Sequence, residues 1–228
     1  MIRGRGLYRG MFRGMSPKSY KAAVGSYLFQ ETFEAAGYDN AGWAETLGTN
    51  GIVNEDDTTA PVLEGSQQLK IYGSSEGAEV SYTISPTFTA SGTIYVRFRF
   101  RIKDDRPSTN NIFYLYTGIG AKQWINFIST GELAVTTGPK TATTTAKILV
   151  NTSYYIWVKY IKGTGANQIG SVAFSTTTTE PTSDDGTNGW AQLTDGARTD
   201  NIDTLRLSYK GYYNAYFDEI LVSASPIT

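Results

Sequence analysis

The sequence predicts an all-β protein, a two-sheet antiparallel β-sandwich that follows an extended basic N-terminal arm. Three observations support this fold class. The 228 residues include 24 Gly and 16 Tyr together with many Thr, a composition typical of strands joined by turns. Short segments of period-two alternation recur between turn residues. No segment keeps a helical period for more than one or two turns.

The clearest predicted strand covers residues 93–103, where Ile94, Val96 and Phe98 alternate with Tyr95 and Arg97. Eleven residues of strict alternation indicate a strand with one buried face. Turn residues separate the remaining candidates. We predict these further strands at residues 27–33, 66–72, 79–84, 111–117, 123–128, 132–137, 153–161, 167–174, 202–209 and 214–223. Residues 175–199, which include Trp190, are predicted to be a long loop, either functional or solvated with the ring folded back.

Charge divides the chain into a basic arm, residues 1–26, and an acidic body, residues 27–228. The arm holds six basic residues and no acid, so its charge is +6, and the other 14 basic and 21 acidic residues give the body −7. Its Arg-Gly-apolar repeat could bind single-stranded nucleic acid, dock on an acidic protein surface, or only solubilise the chain. We expect protein docking and no nucleic acid, because the body repels phosphate. The predicted anchoring residues are Arg3, Arg5, Tyr8, Arg9, Phe12 and Arg13.

Histidine and cysteine are both absent, which limits the chemistry of the chain. Without them there is no Ser-His-Asp triad, no thiolate nucleophile, no disulfide and no zinc finger or Fe–S site. Catalysis by Asp, Glu, Tyr, Lys or Arg remains open. No apolar run approaches the roughly 20 residues that a bilayer requires, so no membrane association is expected.

Three segments resemble the concanavalin A-like lectin/glucanase superfamily, also described as laminin-G-like jelly rolls, as found in bacteriophage virion decoration proteins. These are an opening strand at residues 28–34 followed by Trp43, a middle strand at 95–100, and a closing strand at 215–223. The resemblance implies a curved jelly-roll sandwich whose first and last strands pair. It also implies a concave face of the kind that often binds sugars.

The catalytic motifs of that superfamily are missing from this sequence. Family-16 glycoside hydrolases carry a Glu-x-Asp-x-x-Glu strand, which does not occur here. The adjacent acids Asp218 and Glu219 are expected to point to opposite faces of their strand. Alginate-lyase-like jelly rolls use a Gln-x-His strand and a Tyr-rich closing motif. Residues 208–214 resemble the closing motif loosely, but the histidine is absent, so we expect no enzyme.

One polar strand face is the candidate contact surface. Aromatic rings beside Arg and Asn suit sugar recognition or a protein interface, while a solvated face is the third alternative. The candidate residues are Tyr95, Arg97, Arg99, Trp124, Asn126, Tyr155 and Trp157. No cofactor is expected to be required. The superfamily resemblance suggests a structural calcium ion, with Glu34 and Asp218 as the positions to inspect.

These observations lead to the hypothesis of a non-enzymatic virion structural protein, a phage head-decoration or surface protein anchored by its arm. Its expected partners are other virion proteins, the major capsid protein or neighbouring copies in a larger assembly, and host-surface glycans. The alternatives are a carbohydrate-binding module, secreted or on a cell surface, and a relative of the glycan hydrolases and lyases.

Overall fold

The computed structural model of the chain is a β-sandwich of two antiparallel sheets, which confirms the predicted fold class. No α-helix occurs in the described ranges, and no helix there is long and apolar enough to cross a membrane. The predicted arm lies outside these ranges. The structure describes residues 27–34, 43–47, 51–58, 61–72, 77–88, 93–103, 109–117, 120–163, 167–181, 189–194, 201–210 and 214–227.

Fifteen strands make up the described part of the fold. They are β1 (Phe29–Glu31), β2 (Trp43–Leu47), β3 (Ile52–Asp57), β4 (Gln68–Tyr72), β5 (Ala78–Phe88), β6 (Thr93–Ile102), β7 (Asn110–Thr117), β8 (Gly120–Phe127), β9 (Leu133–Thr137), β10 (Lys140–Thr143), β11 (Tyr154–Ile161), β12 (Ile169–Ser175), β13 (Gly189–Thr194), β14 (Ile202–Tyr209) and β15 (Asn214–Ser223). The first sheet has the order β13-β12-β11-β6-β15-β4-β3, with β1 also paired to β15. The second sheet has the order β10-β9-β8-β7-β14-β5-β2.

Period-two alternation located eleven of these strands, and the four that it missed are the edges of the two sheets. They are β13 and β3 in the first sheet, and β10 and β2 in the second. An edge strand buries little, so its alternation is weak. In β2, for example, only Trp43 is buried and the next four residues are exposed. The predicted loop at 175–199 therefore contains a strand that carries Trp190.

The core lies between the sheets and is rich in phenylalanine. Phe98 of β6 stacks on Phe113 of β7 with ring centroids 5.3 Å apart, so this pair joins the two sheets. Phe217 of β15 packs against Phe100 at 5.2 Å. All four side chains are fully buried, and each such burial stabilises the fold by about 1.5–3 kcal/mol. The sheets therefore form a rigid support for the residues on their outer faces.

The pairing of the first and last strands is confirmed, because Phe29 of β1 lies opposite Val222 of β15. A β-bulge interrupts β15 between Asp218 and Leu221, and Glu219 within it has a φ of 47°. A bulge adds one residue to the strand, so successive side chains there no longer point to opposite faces of the sheet. Asp218 is registered with Arg99, and Glu219 is ion-paired with Arg97, so both acids face the outer side of the first sheet. The prediction that they point to opposite faces was wrong.

Candidate functional site

A continuous row of side chains crosses the outer face of the second sheet. Neighbours in the row are register partners on adjacent strands, from β2 at one edge to β10 at the other. Its members are Ala44, Ser81, Arg206, Tyr114, Trp124, Thr136 and Thr141. We call this set the central row. It places one cation and two aromatic rings beside each other in the middle of the sheet.

A cavity with a volume of about 550 Å³ opens beside the central row and is lined in part by Tyr114. Cavities of this size are typical of sites for small molecules or for a few sugar units. The lining is polar, and Glu79 is the one carboxylate among the lining residues described. These residues are Thr46, Leu47, Gly77, Ala78, Glu79, Thr109, Asn110, Asn111, Tyr114, Ser208 and Lys210.

Arg206 is the centre of the polar contacts in this region. Its Nη1 lies 2.8 Å from the Glu79 carboxylate and donates a 3.2 Å hydrogen bond to the hydroxyl oxygen of Tyr116. The guanidinium also lies over the Tyr116 ring, 4.3 Å from its centroid. Its Nε is buried without a hydrogen-bond partner. Charge-assisted and cation–π contacts thus fix the orientation of this side chain, which leaves Nη2 outside the hydrogen bonds described.

Tyr114 completes the site on the side of Trp124. Its ring centroid is 5.5 Å from that of Tyr116, and its hydroxyl is hydrogen-bonded to Asn111. Burial raises the pKa of Tyr114 above its ordinary value, and the nearby Tyr116 and Glu79 act in the same direction. The hydrogen bond to Asn111 and the charge of Arg206 oppose this shift. Tyr114 is therefore a neutral phenol that can donate a proton at neutral pH.

The seven residues of the predicted contact surface do not share one face. Trp124 and Asn126 lie on β8 of the second sheet, next to Tyr114, whereas the other five lie on β6 and β11 of the first sheet. Alternation within a strand does not reveal which sheet the strand joins. The sequence analysis therefore placed residues of both sheets on one surface. The five on the opposite side of the sandwich are Tyr95, Arg97, Arg99, Tyr155 and Trp157.

Several of those five are already engaged inside the protein. Arg97 is 7% exposed and pairs with Glu219 at 2.7 Å, and Arg99 pairs with Glu64. Both guanidinium groups lie over the Tyr155 ring, at 5.4 and 5.0 Å. Trp157 is 4% exposed. These contacts stabilise the first sheet and leave little of Arg97 and Arg99 open to a partner.

The two positions suggested for calcium lie close enough for their charges to interact. Asp218 is fully buried, and burial, with a smaller contribution from Glu34, raises its pKa to about 7. Glu34 accepts hydrogen bonds from the backbone and hydroxyl of Ser66. Across the described ranges, no group of three or more Asp or Glu side chains is arranged to hold a metal. The suggested calcium ion therefore stays a prediction.

Sequence reasoning missed the residues of this site. Glu79, Tyr114 and Lys210 line the cavity. Tyr116 and Arg206 lie next to Tyr114. Tyr114 and Tyr116 alternate with Phe113 and Leu115, which marks an outward polar face, but the arginine that joins them lies 90 residues away in sequence. Lys210 belongs to the Tyr-rich segment that resembles a lyase closing motif. The predicted anchoring residues of the arm lie outside the described residues.

Comparisons with known proteins identify the fold. No family model matches the chain, and no curated protein matches its sequence. The endo-β-1,4-glucuronan lyase of the fungus Trichoderma reesei superposes with a TM-score of 0.63 and 14% identity, covering 88% of this chain and 96% of its own. The PL-14 alginate lyase of Aplysia kurodai gives 0.60 and 8% over 88% and 100%. A carbohydrate esterase of bacteriophage phi24B gives 0.54 and 13% over 86% and 97%.

These structures correct two expectations. The hypothesis of a non-enzymatic virion structural protein, and the expectation of no enzyme, are contradicted because the similar structures include two polysaccharide lyases and a carbohydrate esterase. The jelly-roll sandwich that the family resemblance implied is supported by the same structures. At these identities the likeness concerns the fold, and the chemistry must be argued from this chain's own cavity.

Proposed function

We propose that the protein is a polysaccharide lyase that cleaves chains of uronic acid residues by β-elimination at the central row. The observation that carries this proposal is the cluster of two phenols and a fixed guanidinium, in which the phenol of Tyr114 lines the cavity. Elimination next to a carboxylate needs a base, an acid and a cation, and none of these has to be histidine. The similarity in fold to a glucuronan lyase and an alginate lyase gives additional support.

In the proposed reaction, the Tyr116 oxygen removes the proton from the sugar carbon that bears the carboxylate. The electron pair of that C–H bond becomes a carbon–carbon double bond, and the bond to the glycosidic oxygen breaks. The leaving oxygen takes a proton from Tyr114. Because Arg206 donates a hydrogen bond to the Tyr116 oxygen, it stabilises the phenolate form that acts as the base, and this negative charge passes to the substrate when the proton is taken.

The charge of the site suits an anionic substrate. Arg206 and Glu79 compensate each other, so among the described residues at the cavity the exposed Lys210 leaves a net positive charge. Asn111 and Lys210 are the lining residues that can neutralise the substrate carboxylate, which makes the adjacent proton more acidic. Trp124 offers an aromatic surface beside Tyr114, against which the apolar face of a sugar ring can stack.

Hydrolysis fits the same cavity less well. Glycoside hydrolases generally use two carboxyl groups that flank the scissile bond, and one carboxylate, Glu79, is among the described lining residues. That carboxylate is held by Arg206 at 2.8 Å. On the other sheet, Asp218 and Glu219 share a face, but Asp218 is fully buried and no polysaccharide can reach it.

The test is an ultraviolet assay for the double bond conjugated with the carboxylate, with glucuronan, polymannuronate and polyguluronate as substrates. Tyr114→Phe and Arg206→Ala should each lower kcat/KM by about 10²–10⁴-fold, the range of a lost proton-transfer group. The matched control is Tyr72→Phe, a half-buried tyrosine of β4 on the first sheet, which should keep the activity. If no acidic polysaccharide gives the double bond, or if Tyr114→Phe is as active as the unchanged protein, the proposal is wrong.

A further inference from the structure

A second depression lies on the outer face of the first sheet, on the other side of the sandwich from the central row. Its floor is a row of register partners across four strands, Tyr95, Lys159, Ser171 and Gln192. In the adjacent row the small Ala173 separates Trp157 from Trp190. Small side chains between larger ones make a hollow in an otherwise filled sheet face.

Three further elements build the walls of this hollow, which we call the outer pocket. The segment after β12 contributes Glu180 and Pro181, β13 contributes Trp190, and the C-terminal segment contributes Pro226. The volume is about 220 Å³, smaller than the 300–1,000 Å³ typical of drug-sized ligands. The outer pocket is therefore of a size for a compact ligand such as one sugar ring.

The chemistry of the lining combines aromatic rings with compensated charges. Lys159 Nζ lies over the Tyr95 ring, 5.4 Å from its centroid. Glu180 is half-buried; burial raises its pKa, and the charge of Lys159 opposes that shift. Among the described lining residues the opposite charges of Lys159 and Glu180 leave no excess to attract an ion, while the amide of the exposed Gln192 can donate and accept hydrogen bonds.

We propose that the outer pocket is a second carbohydrate site, which binds a neutral sugar residue and takes no part in catalysis. Trp190 and Tyr95 supply apolar ring faces, and Lys159, Glu180 and Gln192 supply hydrogen bonds to hydroxyl groups. The positively charged cavity beside the central row and the neutral outer pocket thus differ in ligand class. A chain that binds here could hold the protein on a mixed polysaccharide while the opposite face acts on its uronate segments.

Isothermal titration calorimetry tests the proposal with cellohexaose, xylohexaose and mannohexaose as neutral probes. At least one should bind saturably, and Trp190→Ala should weaken that binding at least about tenfold, equivalent to about 1.4 kcal/mol. Gln192→Ala should weaken it less. Thr194→Ala is the matched control, because Thr194 is exposed on β13 but does not line the outer pocket.

Circular dichroism and the lyase assay distinguish loss of the site from loss of the fold. Trp190→Ala should keep its strand spectrum and its activity on acidic polysaccharides, so the two proposals can fail separately. If none of the neutral probes binds, the proposal that the outer pocket is a carbohydrate site is wrong. It is also wrong if neutral-sugar binding survives Trp190→Ala and is lost in Trp124→Ala, since that result assigns the sugar to the central row.

Discussion

Asp218 is the described carboxyl group whose ionisation should affect stability most. It is fully buried in β15, and its Oδ1 accepts a 2.7 Å hydrogen bond from the backbone N–H of Glu219, while its Oδ2 has no partner. Replacing it in Asp218→Asn removes the titrating group. The asparagine oxygen can still accept the backbone hydrogen bond, so the bulge should be preserved. We expect the variant to lose most of the pH dependence of folding that the native protein shows.

The magnitude follows from the pKa in the folded and unfolded chains. Burial raises the pKa of Asp218 to about 7, against an ordinary value of about 3.9 in the unfolded chain. The folded state therefore binds the proton more tightly, and stability falls as pH rises between these two values. Over the whole range between these two pKa values, the free energy of unfolding falls by about 4 kcal/mol. Between about pH 5 and about pH 8 it falls by about 2–3 kcal/mol.

The assay is urea unfolding at about pH 5 and about pH 8, with a chelator present so that calcium plays no part. The native protein should lose about 2–3 kcal/mol of unfolding free energy between these pH values, and Asp218→Asn should lose much less. The comparison isolates Asp218, because all other titrating groups are common to both chains. Equal losses in the two proteins would refute the argument that this buried carboxyl group binds a proton near neutral pH.

Three further predictions concern the central row and the core. Trp124→Ala should raise KM for an acidic polysaccharide several-fold and change kcat little, as steady-state kinetics would show, since the ring binds without reacting. The activity should persist up to about pH 10, because burial raises the pKa of Tyr114; a pH–rate profile that falls near neutrality would contradict its role as acid. Gly189→Ala should lower the unfolding free energy by about 1–3 kcal/mol in urea titrations, because its Cβ would lie 2.3 Å from the Phe174 ring.

The fold was predictable wherever a strand buries one face completely. In β6 the alternation of Phe98 and Phe100 with arginines is a local pattern, so the sequence predicts the strand and its inward residues. The edge strands were missed because, as in β2, most of their residues face solvent. The bulge at Glu219 was also unpredictable, because the register with β6 creates it and no local residue type requires it.

The candidate site was less predictable because pairing between distant strands assembles it. Arg206 meets Tyr114 and Tyr116 only because β14 pairs with β7. A search for known catalytic motifs depends on histidine or on two carboxylates in one strand, and this site uses neither. The sequence analysis named Trp124 as a candidate contact residue, but it assigned Trp124 to the same surface as Trp157, which lies on the opposite sheet.

The most direct test of the central claim is the mass of the products. Elimination adds no water across the broken bond, so each product with a new non-reducing end should be unsaturated and lighter by one water than the corresponding hydrolysis product. The account predicts such unsaturated ends from glucuronan or alginate, and their disappearance in Tyr114→Phe. Saturated products of hydrolysis, or unsaturated products that persist in that variant, would contradict it.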